Sequence, residues 1–246
     1  MFERNVVAYR RGWWVFGTGL LEPIFYLFSL GIGLGALVGT VAVGGREIPY
    51  PVFVAPAMLA VSAMTGALTE TTFNMFHRLK YAKLYDAILA TPMRPIDIAL
   101  GEISWALARG GAYSAAFLGL MAALGYIESW YGLLAFPAAI LIGYAFGAVG
   151  MALSTFMRSW QHFDYVGFVI VVLFLLSATF FPLDIYPDWL QPVVTWTPLT
   201  QSVALIRELT TGELSAATVV HVVYLLVLSV AGSVGATVRI DRLLRP

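Results

Sequence analysis

Four ionisable residues, Glu22, Glu70, Glu102 and Arg109, fall inside long apolar stretches of the sequence. At the centre of a membrane helix such a group costs roughly 2.5–3.5 kcal/mol, so each marks a proton relay, a substrate path or a buried ion pair. Glu22 lies nine residues beyond Trp13, or ~13 Å along a helix rising ~1.5 Å per residue. Pro23 follows it, frees a backbone carbonyl one turn earlier and can kink the helix. The two suit a substrate path or a dimer seam; a hydrogen-bonded carboxyl that only joins helices is the alternative. Glu102 and Arg109 are seven apart and share one helix face. Arg109 starts roughly 9 Å deeper than Glu70 by helical rise, but its stem is long enough to reach back. We expect an intramembrane ion pair between Glu70 and Arg109 that holds two helices as one lever. Separate snorkelling of the two side chains to the interface is the competing reading.

Catalytic chemistry finds little support. His77, His162 and His221 are scattered, and no H-E-x-x-H pattern links them. Asp184 and Asp188 are four apart, but the surrounding prolines argue against a regular helix presenting both. The absence of Cys removes disulfides, thiolate metal sites and Cys nucleophiles. No catalytic residue and no metal site is expected. No G-x-x-x-x-G-K-[ST] occurs either, so the chain does not bind ATP through a P-loop. The run from Gly31 to Gly39 suggests a dinucleotide loop, but it lies within an apolar span. Gly31, Gly35 and Gly39, like Gly143 and Gly147, read better as small residues that let helices approach closely.

The elements that must position these groups follow from composition. Of 246 residues, 60% are apolar and 11% charged, with a mean hydropathy of +0.83; soluble domains are about 25% charged. The chain belongs in a bilayer. Net charge is zero, which gives no sign of a nucleic-acid partner. Six apolar stretches approach the length needed to span, about 20 helical residues. They are Trp13–Val38, Val52–Met75, Ile98–Leu124, Leu133–Phe156, Tyr165–Phe181 and Ala216–Val238. The reading is an all-α polytopic protein, a single transmembrane domain over residues 1–246. The apolar run of the first stretch is too long for a signal peptide, so it is read as a permanent helix. Between the last two stretches, Pro182 to Leu205 is broken by four prolines and reads as a hairpin or amphipathic helices dipping into the outer leaflet.

Charge asymmetry sets the direction. With both termini cytoplasmic, every Lys and Arg except Arg46 and Arg207 falls on the inner side, as the positive-inside rule requires. The cytoplasmic loop from His77 to Asp97 has apolar Leu79, Leu84, Ile88 and Leu89 at helical spacing among Lys80, Lys83 and Asp86. Thr91-Pro92 and Arg94-Pro95 end that short amphipathic helix and start the next. Such a helix either rests on anionic headgroups or docks a cytosolic partner.

Three runs carry a resemblance: FVAPAMLAVSAMTGALTETTF, YDAILATPMRPIDIALGEISWALARG and LLSATFFPLDIYPDWLQPVVTWTPLTQSVALIREL. Together with LEPIFYLFSLGIGLG they resemble type-2 ABC exporter permeases, most closely the branch exporting nodulation lipo-oligosaccharides, with daunorubicin-type drug exporters as relatives. The resemblance covers nearly the whole chain. It implies six spans in a bacterial cytoplasmic (inner) membrane, a homodimer, and a separate cytosolic ATPase in two copies that binds the ATP and Mg. It also implies that Leu84, Tyr85, Asp86, Ile88, Leu89, Thr91, Pro92 and Met93 form the coupling helix seated on that ATPase. Many relatives have Glu where this chain has Asp86. Glu22, Pro23 and Tyr26 of the first span, with Phe174, Phe180 and Phe181 of the fifth, are the candidates for the substrate pathway or dimer seam. An amphipathic or lipid-like cargo, such as a glycolipid or hydrophobic drug, suits an aromatic lining. The rival is a proton-coupled secondary transporter using Glu22 and Glu70; a lipid-modifying enzyme lacks a residue cluster to support it.

Overall fold

The computed structural model describes residues 21, 23–43, 45–81, 88, 92–93 and 95–244. Among the described residues the regular structure is helical apart from one small hairpin. Helix α1 (Pro23–Val38) contains π-helical turns at Leu27–Leu34. Gly39 ends it with φ 75°, and a Cβ added there would meet nothing within 4 Å, so it serves the turn and not helix packing. Strands β1 (Thr40–Val43) and β2 (Arg46–Pro49) then pair antiparallel, Val41 opposite Ile48. The apolar Val41 and Ile48 are the buried positions of the two strands.

Helix α2 (Tyr50–Arg78) is the spine of the bundle. Apolar residues occur all round it, so it is buried on every side, as expected of a helix without a polar face. It widens into a π-turn at Glu70–Asn74. Helix α3 (Pro95–Ala123) follows, with Asp97 in its first turn, where an acid complements the helix dipole. Helix α4 (Trp130–Ser154) opens on a 3-10 turn; the Ser129 hydroxyl accepts from the Tyr131 amide at 3.2 Å. Helix α5 (His162–Leu175) stops at Leu176, whose ψ of 42° leaves the helical region.

A 3-10 turn (Leu183–Ile185) and the short helix α6 (Gln191–Thr195) lead into α7 (Pro198–Thr211). Thr197 caps α7 by accepting from the Thr200 amide, and Pro198 occupies its first turn. Left-handed Gly212 closes it at φ 84°; a Cβ there would lie 2.7 Å from Ser129 Oγ. Helix α8 (Ala216–Leu244) is the last described element.

Packing is tight where side chains are small. Gly143 and Gly147 of α4 sit against Ala67 of α2, Gly147 also against Thr71. At Gly232 of α8, an added Cβ would lie 2.7 Å from the Val149 amide nitrogen of α4. Three helices among the described residues are long and apolar enough to cross a bilayer: α2, α4 and the Ala216–Ile240 part of α8. Helices α1 and α5 are apolar but shorter. Helix α3 has the length, 29 residues, and carries Asp97, Glu102 and Arg109. The fifth expected stretch is the one that differs most, because residues 176–181 form a turn and bends instead of helix.

Candidate functional site

Two buried carboxylates and two largely buried guanidinium groups gather where the lower part of α2 meets α3. Glu70 begins the π-turn, and its carboxylate is 2% exposed. Arg109 Nη1 of α3 donates to Glu70 Oε2 at 2.8 Å, and Arg78 Nη2 donates to Glu70 Oε1 at 2.9 Å. Asn74 Nδ2 reaches the same carboxylate at 2.6 Å. Arg78 turns its other nitrogen, Nη1, to Glu102 Oε2 on α3. Arg109 also donates from Nε to Tyr113 Oη at 3.2 Å. Two carboxylates and two guanidinium groups thus offset one another, which is how charge survives in a low-dielectric interior.

Sequence reasoning singles out Glu70 and Arg109 and gives neither Arg78 nor Glu102 a place in this cluster. The signal is present all the same: Glu70, Asn74 and Arg78 recur every four residues and share a helix face. Ending the second span at Met75 puts Arg78 among the loop cations. The helix in fact continues past Met75 and includes Arg78.

Beside the charges lies an aromatic cluster that sequence reasoning misses. Phe76 and Phe163 meet edge to face at 5.0 Å, and Phe73 stacks on Phe163 at 4.4 Å. Tyr81, just after α2, stacks on Trp160 at 5.6 Å with planes 24° apart. These rings tie the end of α2 to the start of α5. Between them in the chain lies the expected coupling segment. Leu84, Tyr85, Asp86, Leu89 and Thr91 lie outside the described residues. Ile88 packs against the cluster formed by Met75, Ile103, Met151, Ala236 and Ile240, which belong to α2, α3, α4 and α8. Pro92 is exposed and Met93 half-buried.

The expected pathway residues divide. Glu22 lies outside the described residues. Pro23, Tyr26 and Phe174 line one cleft of about 120 Å³ between α1, α2 and α5. Tyr26 and Phe174 meet edge to face at 5.7 Å, and Phe174 meets Phe180 at 4.9 Å. Phe181 is exposed and does not line that cleft. A second cavity, about 530 Å³ and almost wholly apolar, lies between α4, α5 and α8, with Phe146, Phe156, Tyr165, Val169 and Leu228 on its walls. His77 is exposed, and the three histidines stay on separate elements. Asp184 and Asp188 are both exposed, Asp184 within the 3-10 turn.

Long apolar helices whose buried charges are mutually offset define an integral membrane protein. The family model described as ABC-2 type transporter matches residues 1–210, and the chain belongs to that family. It is 38% identical over 216 residues to Nodulation protein J of Rhizobium leguminosarum bv. trifolii, covering 87% of this chain and 80% of that protein. Nodulation protein J of Rhizobium leguminosarum bv. viciae is 34% identical over 226 residues, covering 90% and 85%. That of Rhizobium meliloti (strain 1021) is 34% identical over 216 residues, covering 87% and 80%.

Proposed function

We propose that the chain is the permease subunit of an ATP-driven exporter for an amphipathic or lipid-like cargo, a lipo-oligosaccharide, glycolipid or hydrophobic drug. A separate ATPase, in two copies, holds ATP and Mg and supplies the work. The observation that carries this reading is the Glu70, Arg78, Glu102 and Arg109 cluster. It clamps α2 to α3 on either side of the segment from Leu84 to Met93. A push on that segment then moves two helices together instead of bending one.

Six spans in a bacterial inner membrane, with both termini cytoplasmic, complete the proposal. In that orientation the ion cluster lies toward the cytoplasm and the β1–β2 hairpin outside. Closure of the ATPase pair presses on the segment. The Tyr81–Trp160 stack passes the displacement to α5, whose Phe174 borders the cleft with Tyr26. A second copy of this chain faces α5, where Tyr165, Phe168 and Val171 are exposed. The cargo's apolar portion travels along that aromatic and aliphatic surface. ATP drives the cycle only by binding the closed arrangement more tightly than the open one.

The proton-coupled alternative uses Glu22 and Glu70 as coupling carboxylates; Glu22 lies outside the described residues, and Glu70 lies within the ion cluster. A carboxylate held by two guanidinium groups and an amide is committed to structure, which favours the ATP-driven reading. The test is co-expression with a candidate ATPase and reconstitution in vesicles. ATP-dependent cargo movement that stops without the ATPase supports the proposal. Transport collapsed by an uncoupler while ATP is maintained would replace it with the proton-coupled one.

A further inference from the structure

At the hairpin end of the bundle, Arg46 and Arg207 differ in their company. Arg46 lies 3.2 Å from Glu213 and 3.6 Å from Glu128. Arg207, on α7, has no carboxylate partner among the described residues. Its Nε and Nη2 donate to the Phe53 carbonyl at 3.4 and 3.2 Å, and Nη2 also to the Ala178 carbonyl at 3.2 Å. The guanidinium carbon sits 3.9 Å from the Phe53 ring centroid. Ala178 holds φ 50°, an uncommon conformation for a residue with a side chain. The adjacent Glu208 is engaged elsewhere, accepting from Thr218 Oγ1 at 2.5 Å and lying 3.6 Å from His221 Nε2.

Arg207 borders a cavity of about 540 Å³, with Asp184, Gln191, Thr195, Gln201 and His221 also on its walls. Most of that polar lining is already occupied. Gln201 donates to the Thr195 carbonyl at 2.7 Å and meets His221 Nδ1 through Oε1 at 2.5 Å. Gln191 donates to the Tyr186 carbonyl at 2.9 Å. The Nη1 group of Arg207 has no hydrogen-bond partner among the described residues. Burial pushes the Arg207 pKa down to about 9, which leaves it cationic at neutral pH. This half-buried cation, accompanied by carbonyls and a ring, lacks a counter-charge among the described residues.

We propose that this cavity is an oxyanion site, in which a phosphate or carboxylate group accepts from Arg207 Nη1. Charge-assisted hydrogen bonds of that kind are about twice as strong as neutral ones. The oxyanion comes either from an amphiphile's head group or as a free ion. The site stands apart from the ATP-driven reading, because it needs no ATPase to be occupied.

The experiment titrates the full chain in detergent, without any ATPase, and reads binding by thermal shift and native mass spectrometry. The probes are dihexanoyl phosphatidic acid, inorganic phosphate and, as the uncharged control, dihexanoylglycerol. Saturable binding of the phosphatidic acid but not of dihexanoylglycerol is expected. Arg207→Gln weakens it by at least about tenfold, the loss expected of one charged hydrogen-bonding group. Arg46→Gln leaves it unchanged, and Arg207→Lys retains most of it. Arg207-dependent binding of inorganic phosphate as well identifies a free-ion site; binding of the lipid alone identifies a head-group site. Ala204→Phe, which fills the cavity, abolishes binding and decides the matter should Arg207→Gln fail to fold. Equal binding of phosphatidic acid and dihexanoylglycerol, affinity unchanged in Arg207→Gln and Ala204→Phe, or no binding of either anion would overturn the proposal.

Discussion

Glu70 and Arg109 meet at 2.8 Å although they lie 39 positions apart in the chain, on either side of the proposed coupling segment. The contact joins α2 to α3 inside the bundle, and Arg78 makes it a network by touching both Glu70 and Glu102. Removing one member of a buried pair strands the other charge, at a cost of about 3–5 kcal/mol. Glu70→Gln is therefore expected to lower the unfolding temperature of the purified chain sharply and to abolish ATP-driven transport. Thermal unfolding followed by tryptophan fluorescence checks the first, vesicle transport the second. A melting curve equal to the wild type's would remove the network from the account.

The same geometry predicts that a simple charge swap fails. Glu70→Arg with Arg109→Glu places a new cation beside Arg78, which lies 2.9 Å from the native Glu70. The double variant should unfold at a temperature no higher than Glu70→Gln alone. Full recovery by the swap would mean that Arg78 is not a partner of Glu70.

The aromatic cluster predicts a defect of transmission. Trp160 contacts Tyr81, Phe76 and Phe163, and each aromatic pair contributes about 0.5–1.5 kcal/mol beyond simple burial. Trp160→Leu keeps apolar volume but loses the stack. We expect membrane insertion and ATPase binding to persist while cargo moved per ATP falls several-fold. An unchanged ratio would contradict the route from Tyr81 to α5.

Glycine substitutions separate packing from spacing. A Cβ at Gly232 would lie 2.7 Å from a backbone nitrogen of α4, whereas one at Gly66 meets nothing within 4 Å. Gly232→Ala should destabilise by about 1–3 kcal/mol, the usual cost of overpacking. Gly66→Ala should be neutral or stabilising, since Gly in a helix costs roughly 0.5–1 kcal/mol relative to Ala. Detergent-phase thermal unfolding of both variants checks the contrast, and equal melting temperatures would refute the close α4–α8 contact.

How much of this is readable in the residues depends on the distance over which each feature acts. Apolar composition and span length are local sums, so the membrane class and the helices α2, α4 and α8 follow from them. Helical rise plus the reach of an arginine stem suffices to suggest Glu70 with Arg109. Arg78 escapes because Thr69 to Asn74 are mostly polar, and polarity there reads as the end of the helix. Tyr81 and Trp160 are far apart in sequence, and no periodicity links them. The early end of α5 is illegible for another reason: Leu176 to Phe181 contains neither Gly nor Pro, and its bends are set by tertiary contacts such as the Arg207 bond to the Ala178 carbonyl. The Arg207 cavity depends on α2, α7 and the bends together, so no single stretch encodes it.

The most direct test of the central claim is site-specific cross-linking at the proposed coupling segment. The chain has no cysteine, so Asp86→Cys introduces a unique thiol. With the co-expressed ATPase carrying a cysteine in its membrane-facing cleft, oxidation should trap a covalent complex and arrest ATP-driven transport, and reductant should restore it. Labelling of that thiol by an impermeant reagent from outside intact cells, or cargo accumulation by the chain with no ATPase bound, would contradict the account.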